Sequence, residues 1–248
     1  MKRTLLLSMM LAGVATCLAE PPTSEVSSAN TIGLVQVADT TKDCLLVAVP
    51  WLDYGTGGEI KVIDLIKTAN LADGDKLYVS NGSGYDVYEL NGNEWSAAKT
   101  ATVAANGTVT ETTATVASDK TLKRGDAIWL KRTTSKSAFY LFGQATSEKA
   151  SVQVAAGLNL VASPSADGLS LASGIAGSGV GDEIIVNGNG GEEAHYYFRA
   201  PTAGGDACWC KKQSKAGSVR KEYVAATDVI PVGTGFWYRS AEGGTITL

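Results

Sequence analysis

Short stretches in which apolar and polar residues alternate recur along the chain, and turn-forming residues separate them. Asn-Gly pairs, which accept the positive φ angles of tight hairpin turns, begin at positions 81, 91, 106, 187 and 189. The stretches between them are rich in residues that favour strands. We therefore predict strands at 76–80, 85–90, 128–132, 138–143, 183–186, 194–199, 236–239 and 245–248.

Two segments have the spacing of a helix instead. Residues 60–71 carry apolar side chains at 60, 63, 65, 66 and 71, which is roughly one helical face, and 169–175 is a shorter equivalent. About seven strands with at most one short helix in each half of the chain fit a small antiparallel β-sandwich or a part-open barrel. The predicted fold class is all-β.

Five motifs occur in the same order in both halves, at offsets between 107 and 117 residues. They are V-Q-V-A from 35 and 152, L-V-A-x-P from 46 and 160, G-D from 74 and 181, a tryptophan at 95 and 209, and a longer stretch from 116 and 224 that ends in a tryptophan. We predict two tandem homologous modules, copy 1 at 32–148 and copy 2 at 149–248. The copies are either separate domains or share one interface.

The N-terminus has the order of a secretory signal peptide: two basic residues, an apolar run and small residues up to Ala19. We predict a signal peptide at 1–19 and a flexible leader, rich in Pro, Ser and Thr, at 20–31. The protein is then secreted or on the cell surface, with the periplasm as an alternative. Another interpretation makes Cys17 the site of a lipid anchor.

Charge and hydropathy exclude some partners. Loss of Lys2 and Arg3 from the 21 basic residues leaves 19 against 25 acidic residues, a net charge of −6 with His195 neutral. A chain of that balance without a Lys/Arg run lacks the electrostatic footprint that nucleic acid requires, so we expect no nucleic-acid partner. No apolar run reaches the length of a transmembrane helix.

Three cysteines follow the predicted signal peptide, namely Cys44, Cys208 and Cys210. An odd number argues against a full disulfide framework. On a strand, positions 208 and 210 point to the same face at the upper limit of disulfide distance. The alternatives are a strained 208–210 bond, a bond from either residue to Cys44, or buried thiols that act as small apolar side chains.

The motif G-L-N-L-V at 157–161, with Pro164 after it, and the motif V-G-T-G-F-W-Y at 232–238 resemble a family of exported bacterial β-modules. Those modules open with a G-W-N-L-[IV]-x-x-P strand and close with a P-x-G-x-G-[FY]-W strand. Leu158 stands in place of the family's Trp, and the first copy departs further, with R-G-D-A-I-W at 124–129. The resemblance covers most of 32–248 and implies a fold and an exported location, in a family without an assigned activity.

Candidate catalytic and metal-binding residues are few. His195 is the single histidine and shares a strand face with Glu193, but the chain has no G-x-S-x-G, C-x-x-C or H-E-x-x-H motif. We therefore expect no enzyme activity, no cofactor and no metal. The segment 73–75 (D-G-D) is interpreted as a turn, the glycine run 55–58 as a loop, and 124–126 (R-G-D) as a chance match to an adhesion tripeptide.

Aromatic residues supply the remaining candidates. Four tryptophans that correspond between the halves are predicted to anchor cores; they are Trp95, Trp129, Trp209 and Trp237. Trp51 and Tyr54 lie in a Gly-rich loop, where their rings either stack on sugars or cover the end of the sandwich.

Three functions follow from these observations. The first is a non-enzymatic surface or extracellular protein with a structural or adhesive role, in which tandem copies add reach and avidity. The second is a carbohydrate-binding accessory protein, and the third is a hydrolase of unrecognised type that uses His195. The expected partners are a glycan or a second copy of the chain at the cell surface.

Overall fold

The computed structural model describes residues 32–37, 44–48, 59–65, 71–92, 94–104, 108–116, 120–133, 139–144, 149–187, 193–214 and 220–248. All of them belong to one compact unit. We refer to 32–148 as the N-terminal half and to 149–248 as the C-terminal half.

The described part of the N-terminal half contains ten strands and one helical turn. They are β1 (Ile32–Val37), β2 (Cys44–Ala48), β3 (Glu59–Lys61), α1 (Val62–Leu65), β4 (Lys76–Ser80), β5 (Tyr85–Asn91), β6 (Glu94–Val103), β7 (Val109–Thr113), β8 (Thr121–Lys123), β9 (Ala127–Lys131) and β10 (Phe139–Gln144).

The described part of the C-terminal half also contains ten strands. They are β11 (Ser151–Val154), β12 (Gly157–Ala162), β13 (Leu169–Ser170), β14 (Glu183–Asn187), β15 (Glu193–Arg199), β16 (Cys208–Ser214), β17 (Lys221–Ala225), β18 (Val229–Ile230), β19 (Gly235–Ser240) and β20 (Gly244–Thr247). The fold is all-β, as the alternating pattern predicted.

The two halves have the same sheet topology. A six-stranded sheet has the order β2-β9-β4-β5-β6-β7 in the N-terminal half and β12-β19-β14-β15-β16-β17 in the C-terminal half. Two-stranded pairs accompany each sheet, β1–β10 and β3–β8 in the first half and β11–β20 and β13–β18 in the second. Every pairing is antiparallel. The origin of the halves by duplication of one module stays a prediction.

Each six-stranded sheet buries one face in its own apolar core. Successive side chains of a strand point to opposite faces, so Ile128 and Leu130 of β9 enter the N-terminal core while Trp129 lies on the other face. The C-terminal core is built around Trp209, which contacts the rings of Phe198 and Tyr238. Trp95 and Trp209 are therefore core anchors, as predicted.

The Gly-Asp motif forms the same turn in both halves. The buried carboxylate of Asp75 accepts hydrogen bonds from the amide of Ala72 and from the amide and hydroxyl of Thr133. The D-G-D segment is thus a turn held by a buried carboxylate, in agreement with its interpretation from the sequence.

Asp182 also receives three hydrogen bonds, two from amides at positions equivalent to those in the N-terminal half and one from a different hydroxyl. They come from the amides of Gly179 and Ala241, both 2.8 Å away, and from the hydroxyl of Tyr238 at 2.5 Å. The two halves therefore satisfy equivalent buried carboxylates with different hydroxyl groups.

The two halves exchange reciprocal hydrogen bonds. The amide of Ala48 donates to the carbonyl of Gly233 at 3.0 Å, and the amide of Ala162 donates to the carbonyl of Gly125 at 2.9 Å. Ala48 and Ala162 hold the same place in the repeated L-V-A-x-P motif, and the two glycines hold the same place before the closing tryptophans. The contact is consequently close to two-fold symmetric.

An apolar cluster surrounds these hydrogen bonds. Its buried members come from both halves, and Trp129 and Trp237 pack against it; the buried members are Leu46, Ala48, Ala127, Leu160 and Ala162. The tryptophans are half-buried and do not belong to the core of either half, contrary to the prediction. The ring of Tyr85 contacts both, with its centroid 6.2 Å from that of Trp129 and 6.5 Å from that of Trp237. Burial raises the pKa of Tyr85 to about 12.

The helix prediction at 60–71 is confirmed in part, and the one at 169–175 is wrong. Ile60 lies in β3 opposite Leu122, and only Val62–Leu65 are helical among the described residues of 60–71. The segment 169–175 contains the short strand β13 and no helix, because Leu169 pairs with Ile230. These pairings favour extended backbone over the local helical spacing. The extra short strands raise the number in each half above the predicted seven.

Candidate functional site

The most chemically varied surface lies on the side of the C-terminal six-stranded sheet that faces away from its core. We call it the C-terminal face. Alternation along β14 to β19 places Tyr196, Trp209 and Tyr238 in the core and puts the intervening side chains on the opposite side. The side chains on this face include Glu183, Glu193, His195, Tyr197, Arg199, Cys208, Cys210, Lys212, Tyr223 and Arg239.

Glu183 organises one end of this face. Its side chain is 10% exposed and contacts two cationic or cation-forming groups. The Oε1 atom lies 2.7 Å from His195 Nδ1, and Oε2 accepts a hydrogen bond of 2.8 Å from Arg239 Nη1. The other ring nitrogen of His195 lies 3.3 Å from a carboxylate oxygen of Glu193.

Sequence reasoning identified the Glu193–His195 pair on one strand face but missed Glu183. Glu183 belongs to the neighbouring strand β14, where its backbone lies opposite Tyr197. Its position directly after the Gly-Asp turn was the available signal, but only the pairing of β14 with β15 shows that it approaches His195. Both ring nitrogens of His195 thus lie within hydrogen-bonding distance of a carboxylate.

Four residues on β15, β16 and β17 form a basic-aromatic cluster that adjoins the Glu183 group. The Arg199 guanidinium lies 3.8 Å from the centroid of the Tyr223 ring, and Lys212 Nζ lies 4.6 Å from the centroid of Tyr197. The two tyrosine rings meet edge to face, with centroids 5.5 Å apart. Contact with Tyr197, and then with Tyr223, raises the pKa of Lys212, so its amine stays charged.

The two cations of this cluster differ from Lys211 and Arg239, which belong to the same sheet. Lys211 pairs with Asp228, and Arg239 pairs with Glu183. Within the described part of the chain, neither Arg199 nor Lys212 lies within salt-bridge distance of a carboxylate. The cluster therefore presents positive charge that its surroundings leave uncompensated.

The cysteine pair borders the basic-aromatic cluster. Cys208 and Cys210 are free thiols whose Sγ atoms lie 3.7 Å apart, and Cys210 donates to the carbonyl of Arg199. Burial, together with the neighbouring Cys208, raises the pKa of the Cys210 thiol to about 11. The backbone of Cys44 lies opposite Lys131, and its side chain is outside the described part.

The corresponding face of the N-terminal sheet is electrostatically compensated. Glu111 accepts hydrogen bonds from Lys76 and from the hydroxyl of Tyr78, and Lys99 lies 3.2 Å from Glu89 and 3.6 Å from Glu111. Burial alone would raise the pKa of Glu111, but these hydrogen bonds and charges outweigh it and hold the pKa below its usual value.

Several predicted sites lie outside the described residues. These are Trp51, Tyr54, the glycine run 55–58, Cys17 and the whole of 1–31.

The R-G-D tripeptide, by contrast, lies within the described residues and takes part in the contact between the halves. Gly125 is buried, and its carbonyl accepts the amide of Ala162. The carboxylate of Asp126 accepts the amide of Lys123. The tripeptide is thus built into a turn.

Among the described residues, no three His, Cys, Asp or Glu side chains form a group that could hold a metal ion. The described chain also contains no helix long and apolar enough to cross a membrane. No family model, curated protein or solved structure matches this chain.

Proposed function

We propose that this chain is an exported, non-enzymatic protein of the cell surface or extracellular space with a structural or adhesive role. The signal-peptide pattern at 1–19 supports the export, and the resemblance to exported β-modules is in keeping with it. In this role the two halves act as a paired scaffold, and a sheet surface makes the contact with the partner.

One observation carries the proposal, namely the composition of the C-terminal face. Broad sheet surfaces with aromatic rings and arginine have the composition that interfaces favour. Glu183 holds His195 and Arg239 in place, and the tyrosines hold Arg199 and Lys212. Side chains that are already ordered lose less entropy when a partner binds.

Localisation of the native protein tests this proposal. Cells should be fractionated and probed with an antibody against the chain, and intact cells should be labelled with the same antibody. We expect the protein in the surface or extracellular-matrix fraction. A protein that occurs only in the cytoplasm, or only as a free monomer in the medium, would contradict the proposed role.

A carbohydrate-binding accessory protein is the second candidate, and the basic-aromatic cluster supports it. Tyrosine rings provide flat apolar surfaces for sugar rings, while neighbouring polar groups bind hydroxyl or acidic substituents. A glycan array with the mature chain tests this function, and a Trp51→Ala variant examines the loop candidate separately. Absence of binding to every glycan would remove this candidate and leave the adhesive one in place.

A further inference from the structure

The basic-aromatic cluster of the C-terminal sheet differs in chemistry from the equivalent positions of the N-terminal sheet. Lys76 and Glu183 each follow the Gly-Asp motif directly, and they lie opposite Glu89 and Tyr197 on the next strand. Where the N-terminal sheet has the carboxylate of Glu89, the C-terminal sheet therefore has the aromatic ring of Tyr197.

This difference changes the environment of the nearby lysine. Lys99 of β6, the strand that follows β4 and β5 in the sheet, pairs with the carboxylates of Glu89 and Glu111. Lys212 of the corresponding strand, β16, lies instead over the rings of Tyr197 and Tyr223, 4.6 and 5.6 Å from their centroids. A ring attracts a cation through its quadrupole but does not neutralise its charge.

Arg199 adds a second uncompensated charge at the same place. Its guanidinium lies over the ring of Tyr223, and its residue is exposed, as is Lys212. A guanidinium presents several donors in one plane, which match the two oxygens of a carboxylate or sulfate. Contacts with the rings limit the conformations of both cationic side chains in the absence of a ligand. The cluster is therefore preorganised to bind an anion.

We propose that the basic-aromatic cluster, Tyr197, Arg199, Lys212 and Tyr223, binds an acidic polysaccharide. The inference rests on the proposed adhesive function and names the class of partner for the C-terminal face. Arg199 and Lys212 contact the acidic groups, while the uncovered parts of the tyrosine rings contact the apolar faces of the sugars.

Binding should be measured with immobilised mature chain, residues 20–248, and three polymers in solution. Polygalacturonate carries sugars and carboxylates, dextran carries neutral sugars, and polyglutamate carries carboxylates on a peptide. We expect polygalacturonate to bind, and its affinity to fall as the salt concentration rises because the contacts are ionic. Equal binding of dextran, preference for polyglutamate, or binding independent of salt would overturn the proposal.

Matched variants identify the site. Arg199→Gln with Lys212→Gln removes both charges and should weaken polygalacturonate binding about tenfold, since two exposed ion pairs are lost. Lys99→Gln removes one charge from the compensated N-terminal face and should leave the affinity unchanged. Equal affinity of the double variant and the wild-type chain would overturn the proposal, and circular dichroism checks that both variants fold.

A tyrosine variant separates sugar contact from simple charge attraction. Tyr223→Leu keeps both cations but removes one ring. We expect the variant to bind polygalacturonate more weakly than the wild-type chain, and we expect this difference to remain at high salt, where ionic attraction is screened. An unchanged affinity there would overturn the role of the rings. Surface localisation without polygalacturonate binding would reject this inference alone, whereas a cytoplasmic protein that binds the polymer would reject the proposed function alone.

Discussion

Gly235 of β19 lies so close to Ala127 of β9 that a Cβ atom added at Gly235 would be 2.9 Å from the Cβ atom of Ala127. The two residues hold equivalent places in the closing strands of the two halves, and they meet where the halves contact each other. Only one of these two positions can carry a methyl group without displacement of the backbone.

We predict that Gly235→Ala destabilises the protein by about 1–3 kcal/mol, the usual cost of overpacking a close contact. The added Cβ atom would also lie 3.1 Å from the backbone carbon of Leu46, which cannot rotate away. Urea unfolding measures the change. Exchange of the two residues, Ala127→Gly with Gly235→Ala, should recover part of the loss, whereas Gly179→Ala, which meets only one atom at 3.9 Å, serves as a control.

The hydroxyl of Tyr238 should contribute to stability through Asp182. Tyr238→Phe removes one of three donors to a buried carboxylate, and we expect a loss of about 1–3 kcal/mol in the free energy of unfolding. Thr133→Val in the N-terminal half removes the hydroxyl that donates to Asp75 and should have a similar effect. Equal stability of Tyr238→Phe and the wild type would show that the hydrogen bond has no net value.

The lowered pKa of Glu111 predicts a dependence of stability on pH. A carboxylate whose pKa is lower in the folded than in the unfolded chain stabilises the fold above the unfolded value of about 4.3, and this contribution disappears as the pH falls through the folded value. We expect Glu111→Gln to lose less stability than the wild type between about pH 5 and 3. Unfolding curves across this range measure it, and Glu94→Gln, an exposed residue of β6, controls for loss of one negative charge.

The thiol of Cys210 should react slowly with alkylating reagents. The thiolate is the reactive form, and a pKa of about 11 reduces its population at pH 8 about a hundredfold relative to a thiol with the ordinary value of 9.0. Alkylation of the folded chain, followed by peptide mass mapping, should modify Cys210 much more slowly than alkylation in urea. A chain that requires a reductant before either cysteine reacts would instead contain a 208–210 disulfide.

Sequence patterns predicted eight of the strands because each of these carries its own alternation, but they missed the ten-residue strand β6 and the seven-residue strand β16. The strand predicted at 76–80 has those bounds in the structure, and 85–90 extends by one residue to Asn91. The pairs β3–β8 and β13–β18 were missed because strands of two or three residues have too few positions to show a period. Their pairing partners lie about sixty residues away in the chain.

The site was predictable only within single strands. Alternation showed that Glu193 and His195 share a face, but it does not state which strands are neighbours. The contact of Arg199 with Tyr223 joins β15 to β17 across β16, and the contact of His195 with Glu183 joins β15 to β14. Such contacts depend on strand order, which local patterns do not contain.

The reciprocal contact between the halves also protects two exposed margins. β2 and β12 are edge strands of their six-stranded sheets, and each forms a bridge to the other half, Val47 to Thr234 and Val161 to Asp126. An excised half would expose its edge strand, β2 or β12, together with Leu46 or Leu160. Exposed edge strands can pair with strands of other chains. Because the contact is nearly symmetric, two copies of one excised half could form the same contact as a homodimer. Such a dimer would form only at sufficient concentration, whereas in the intact chain the covalent link keeps the two halves in contact at any dilution.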